Sequence, residues 1–168
     1  MFGQFLTKYF SQKSGKSLKN KTKISFTDRI FDDEIKNKLY TLWNYYEDIN
    51  YYLIIEHHYE GASFYLVNHD NGYKLQIWNI PIILSPSKKK ILICSCSEVY
   101  EPSGIQIVNI NTPKAYIEYE KELKWIPSSG HWKDELKIKI VKNEKFKHKW
   151  IISEIELLNQ KGKWKIIY

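Results

Sequence analysis

A chain of 168 residues with 43% hydrophobic and 15% aromatic content is long enough to bury a core and too apolar to be a disordered tail. Its net charge of +7 comes from 26 basic residues, of which only Arg29 is arginine. Without the arginine fork, bidentate reading of phosphate or guanine is largely excluded, and nucleic acid is a disfavoured partner.

No apolar run reaches the roughly eighteen residues of a membrane-spanning helix, so no transmembrane segment is expected. The opening stretch MFGQFLTKYF lacks the basic-then-apolar plan of a secretory leader. The expectation is a cytoplasmic protein, or an extracytoplasmic one if a leader has been removed.

In chain order, apolar positions predict strands near Phe5 to Phe10 and Ile24 to Phe26. They flank the lysine-rich stretch SQKSGKSLKNKTK, with Gly15 at a hairpin tip. Residues 1–30 thus read as divergent N-terminal strands. Ile35, Leu39, Leu42, Trp43 and Tyr46 then recur at helical spacing, whereas Tyr40, Leu42, Asn44 and Tyr46 alternate. The aromatic content favours a strand from about Lys38 to Tyr46, preceded by a short helical turn near residues 32–37.

From residue 38 onward about three blade-like units are expected within one β-rich domain spanning 1–168. The first holds YYLIIEH, ASFYLVN and YKLQIW; the second KILICSCS, GIQIVNI and AYIEYE; the third ELKIKIV, KWIISEIELL and KWKIIY. Equivalent positions Leu53, Ile91 and Leu136 step by 38 and 45 residues, and turn residues fall where hairpins need them, at Asn71-Gly72, Asn111 to Lys114 and Lys161-Gly162. A period of about 40 residues with several strands per unit is the mark of propeller-like repeats, and three units fall short of a closed ring. The predicted class is all-β: consecutive antiparallel sheets packed face to face as an open or incomplete propeller. Trp78, Trp125 and Trp150 are expected to fill the space between sheets.

The stretch ILSPSKKKILICSCS followed by GIQIVNI resembles the blade signature of TolB-type propeller repeats. Ser85 and Pro86 match its Ser-Pro-Asp turn; Ser87 and Asn109 stand where that pattern has acids. The wider stretch Tyr51 to Trp132 is similar to small uncharacterised bacterial β-blade proteins, through a Tyr-Glu-Gly corner at Tyr59, Glu60 and Gly61 and the Gly-Ile-Gln-Ile strand. The resemblance implies a blade fold and, since blades host many activities, assigns no function.

Chemistry-bearing residues are few. Cys94 and Cys96 would lie side by side on one strand face, too poorly placed for a disulfide and short of the ligands a zinc site needs, so both are expected in the core. In EHHYE, strand alternation puts Glu56, His58 and Glu60 on one face and His57 and Tyr59 on the other. One metal ion could be held only if the chain bent at Gly61, because ligands spread over about 13 Å along a straight strand; an exposed edge strand is the simpler reading. No nucleophile elbow or glycine-rich phosphate loop is present, and no cofactor is expected. Tyr45, Tyr46, Tyr51, Tyr52, Tyr59 and Tyr100 suit either an interface or packing between sheets.

These observations favour a non-enzymatic binding or protein-interaction module with an unidentified protein or small-ligand partner and a binding face at His58, Tyr59, Glu60 and Tyr100. The alternatives are a metal-dependent hydrolase using Glu56 to Glu60, and a polyanion binder using Lys137, Lys139, Lys142, Lys145, Lys147 and Lys149.

Overall fold

The computed structural model describes residues 4–9, 25–30, 37–80, 82–96 and 103–167. They form strands joined mostly by tight turns, and the chain falls into two compact units, Met1–Ile77 and Trp78–Tyr168. The expected helical turn near residues 32–37 and the Gly15 hairpin tip lie outside the described residues. No helix among the described residues is long and apolar enough to cross a membrane.

In the first unit, β1 (Gln4–Tyr9) and β2 (Ser25–Ile30) form an antiparallel pair. Reciprocal backbone hydrogen bonds between Arg29 and Lys38, both 2.8 Å, connect β2 to the start of the next sheet. That sheet is a four-stranded meander of β3 (Leu39–Tyr46), β4 (Tyr51–His58), β5 (Gly61–Asn68) and β6 (Lys74–Ile77). A short 3-10 turn, Glu47–Ile49, and a left-handed Asn50 join β3 to β4. β4 is buried on both faces from Tyr51 to Glu56. On one face Tyr52 and Ile54 pack with Phe26 and Val67, flanked by Tyr40, Tyr45 and Tyr65.

The second unit contains two meanders: β7 (Ile82–Leu84), β8 (Lys90–Ser95), β9 (Gly104–Asn109) and β10 (Tyr116–Glu122), then β11 (Ile126–Asp134), β12 (Lys137–Phe146), β13 (Lys149–Gln160) and β14 (Lys163–Ile167). They share one core. Leu92, Cys94, Ile105 and Ile107 of the first sheet meet Ile138, Ile140, Ile155 and Leu157 of the second, with Trp125 and Trp164 in the same cluster. Gly130 permits the close approach: a Cβ there would stand 2.7 Å from Leu92 Cδ2 and 3.3 Å from Cys94 Sγ.

The all-β class with three consecutive antiparallel sheets is thus as expected, but each sheet has four strands where the repeats suggested three per unit. β7 and β11 are additions, and β3 supplies the first strand of the first sheet. Trp150 corrects another expectation. Trp125 is buried, whereas Trp150 is 54% exposed on the outer part of β13.

Candidate functional site

The EHHYE segment does not form an exposed edge. β4 lies between β3 and β5, and Glu56 is almost wholly buried at its centre. Lys38 Nζ and Tyr40 Oη donate to the two oxygens of Glu56 at 2.7 and 2.8 Å, with Tyr65 Oη at 3.5 Å. Burial pushes the Glu56 carboxyl up, but the hydrogen bonds from Lys38 and Tyr40 outweigh it and hold the group below its ordinary 4.5. Burial first, and hydrogen bonding to Glu56 second, push the Tyr40 phenol up to about 12. A buried carboxylate is thus paired with a half-exposed lysine, and both of its oxygens are already committed.

The other members diverge. His57 is exposed and lies 3.2 Å from Thr41 Oγ1; His58 is exposed and lies 3.4 Å from Ser63 Oγ. Tyr59, 62% exposed, and the exposed Glu60 form the β4–β5 turn. Among the described residues no three His, Cys, Asp or Glu side chains gather as a metal-binding group. Tyr100 lies outside the described residues. Of the other tyrosines, Tyr51 and Tyr52 are core and Tyr45 and Tyr46 are half-buried, so of the tyrosines considered only Tyr59 is exposed among the described residues, with Trp43 of β3, 58% exposed, as a further surface aromatic of this sheet.

The two cysteines part company. Cys94 is buried in β8, whereas Cys96 lies just past the strand and is exposed, because β8 ends at Ser95. A second polar cluster, which the sequence did not suggest, centres on Glu118. It occupies the bulge between Ile117 and Tyr119 that interrupts β9–β10 pairing, and such bulges re-aim a side chain. Its carboxylate accepts from Lys90 Nζ at 2.6 Å, Trp164 Nε1 at 2.8 Å and Asn109 Nδ2 at 2.9 Å. Burial opposes the charge, yet these donors keep the Glu118 carboxyl lowered. With Trp164 on β14 and Glu118 on β10, this cluster pins one sheet of the second unit to the other.

What remains unabsorbed is the β12–β13 ribbon. β11 accompanies β12 only from Lys137 to Asn143, and β14 accompanies β13 only from Glu156 to Gln160. Among the described residues, nothing pairs with the outer edge of Lys149 to Ile155. The ribbon ends in a two-residue turn, Lys147-His148, with φ of 45° and 67°, the geometry of a type I′ hairpin. The flanking pair Phe146–Lys149 is then a hydrogen-bonded pair, and alternation along β13 follows. Lys149, Ile151 and Ser153 direct their backbone groups to β12; Trp150, Ile152 and Glu154 direct theirs to the open edge.

The side chains of this edge are apolar where an edge is normally guarded. Trp150 (54% exposed) and Ile152 (71%) share the outer face with Asn143 and Ile126 and line a shallow groove of ≈ 330 Å³. Phe146 and Ile151 stand exposed on the opposite face. Around them lie Lys145, Lys147 and Lys149, with which no carboxylate among the described residues pairs. By contrast Lys137, Lys139 and Lys142 are tied to Glu156, Glu154 and Glu144 at 2.7 to 2.9 Å. The sequence contained this signal in KWIISE, an apolar run behind a lysine-rich turn. Locally it reads the same as a core strand, because only the length mismatch with β14 exposes it.

No family model, curated protein or solved structure matches this chain.

Proposed function

We propose that the protein is a non-enzymatic interaction module built of propeller-like blades, resembling those of small bacterial proteins, and that it engages a protein partner through the β12–β13 ribbon. The observation that carries this reading is the placement of Trp150, Ile151 and Ile152 in solvent on a strand paired along one edge only among the described residues. Large exposed apolar side chains gathered in one place mark interaction surfaces, and Trp is the residue most often found at binding hot spots. The carboxylates that might otherwise suggest chemistry, the buried Glu56 and the half-buried Glu118, are engaged in internal hydrogen bonds. The turn carrying Tyr59 and Glu60 offers a smaller accessory surface in the other unit.

Selection of displayed random peptides against the full chain tests this. Peptides recovered on the wild type are expected to lose about tenfold or more in affinity on the double variant Trp150→Ser/Ile152→Ser. The same variant should keep its unfolding free energy within about 0.5–1 kcal/mol, as exposed sites do. Selected peptides indifferent to both substitutions would contradict the reading.

A second reading has one observation in its favour: Lys145, Lys147 and Lys149 form a cluster of cations at the ribbon tip. A polyanion would bind there with strong salt dependence. Half of the six lysines first considered are neutralised by neighbouring carboxylates, which weakens that reading.

A further inference from the structure

We propose that the open edge of β13, residues 149 to 154, receives an extended segment of a partner protein as an added strand with an apolar centre and acidic residues near the ribbon tip. The inference rests on the interaction-module reading and specifies its ligand.

Three features of the edge carry it. First, the backbone groups of Trp150, Ile152 and Glu154 point away from β12 with no strand beyond them among the described residues, so a row of donors and acceptors is presented in strand geometry. Second, protein edges are ordinarily blunted by proline, a bulge or charged side chains, lysine above all, and here the lysines stand only at the tip. Here pairing of β12 with β13 is continuous from Phe146–Lys149 to Lys137–Leu158, and the middle of the open stretch is Trp-Ile-Ile. Third, apolar side chains flank the edge on both faces, Trp150 and Ile152 on one and Ile151 on the other. A strand lying in the sheet plane would touch both sets through its own alternating side chains.

Charge chooses the occupant. Lys145, Lys147 and Lys149 surround the tip end of the edge, and an incoming acid there meets cations not already neutralised. At the other end, Glu154 is already bonded to Lys139 at 2.9 Å. A second copy of the chain is the weaker fit: two β13 edges paired about Ile152 set Lys149 opposite Ile155 and Trp150 opposite Glu154, and paired about Ile151 they bring to the tip a single acid, Glu154, which is already bonded to Lys139. A lipid surface fits poorly too, because Lys147 and His148 are the outermost residues of the hairpin. Insertion would bury them deeper than Trp150 and Ile152.

The test uses the full chain, isotope-labelled, and a capped octapeptide with a Val-Ile-Val-Tyr centre and a pair of glutamates at each end. Peptide at saturation is expected to slow amide exchange of Trp150, Ile152 and Glu154 by about tenfold or more while leaving Lys149, Ile151 and Ser153 little changed. N-methylation of the four central peptide residues, or replacement of its glutamates by lysines, should each weaken binding about tenfold or more. Glu154→Pro removes one outward N–H and should weaken binding, whereas Glu154→Ala should not; should the proline variant fail to fold, the methylated peptide still decides.

Failure of the peptide to bind, or binding without slowed exchange at those three amides, overturns strand addition. In the latter case, loss of binding on Trp150→Ser would leave the interaction-module reading standing. Protection that rises with protein concentration alone, together with a doubled solution mass, would overturn the proposal in favour of a second copy. So would phosphatidylserine vesicles protecting the edge where the peptide does not.

Discussion

Cys94 and Cys96 are two residues apart and chemically unlike. Burial, and secondarily the neighbouring Cys96 thiol, pushes Cys94 up to about 12, so it stays a protonated, inaccessible thiol at any working pH. Cys96 is exposed at the end of β8. Iodoacetamide at pH 8 should therefore modify one thiol per folded chain and both in denaturant; two modified thiols in the folded protein would contradict the placement of Cys94 in the core. Glu56 and Glu118 carry the corresponding prediction for acid. Both carboxyls lie below the ordinary 4.5 in the folded protein, so as pH falls the unfolded chain takes up their protons first. Their contribution is complete above about pH 4.5 and is lost as pH drops through the lowered folded values. Glu56→Gln or Glu118→Gln should lower stability at pH 7 by about 1–2 kcal/mol and flatten the acid side of the urea-midpoint profile, since charge-assisted hydrogen bonds are worth about that much. An acid limb as steep as that of the wild type would show that these groups do not carry it.

At the scale of elements, the sheets depend on two glycines that admit close neighbours. A Cβ at Gly104 would meet the Lys121 carbonyl oxygen at 2.5 Å and Trp78 Cζ3 at 2.6 Å, while one at Gly130 would first meet the terminal methyl of Leu92. A backbone carbonyl held in a ladder cannot retreat, and a leucine methyl can. Gly104→Ala should thus destabilise more than Gly130→Ala, with overpacking of this kind costing about 1–3 kcal/mol; urea unfolding of the two variants measures the order, and the reverse order would count against the β9–β10 register. The same elements explain what the sequence made legible. The turns at Asn71-Gly72 and Lys161-Gly162 were readable because positive φ at Gly72 and Gly162 demands particular residues. β11 was not, because IPSSGHWKD has the composition of a loop, and its Pro127 and Gly130 are accommodated by a register shift and by packing on β8. β7, at three residues, is too short to show alternation. Glu56 and Trp150 were misplaced for a common reason. Whether a stretch of strand is flanked or open depends on how far its hairpin neighbours run beside it, and side-chain alternation is the same in both cases.

Among the described residues every strand pair joins consecutive strands, so three four-stranded meanders and one N-terminal pair arise from hairpin-local pairing. Within the second unit this economy leaves strands of unequal length side by side, most of all at the C-terminal hairpin. β13 runs for twelve residues beside the five of β14, and the surplus emerges as a ribbon with lysines at its tip and an apolar middle. A partner strand can dock on that surplus only while it stays formed along β12 and open along its other edge. Residue-by-residue amide exchange of the free protein addresses this directly. The account predicts an alternation along β13, with Lys149, Ile151 and Ser153 protected by β12 and Trp150, Ile152 and Glu154 exchanging fast. Uniform protection across these six amides would mean that the edge is covered, uniformly fast exchange would mean that the ribbon does not hold together, and either result would contradict it.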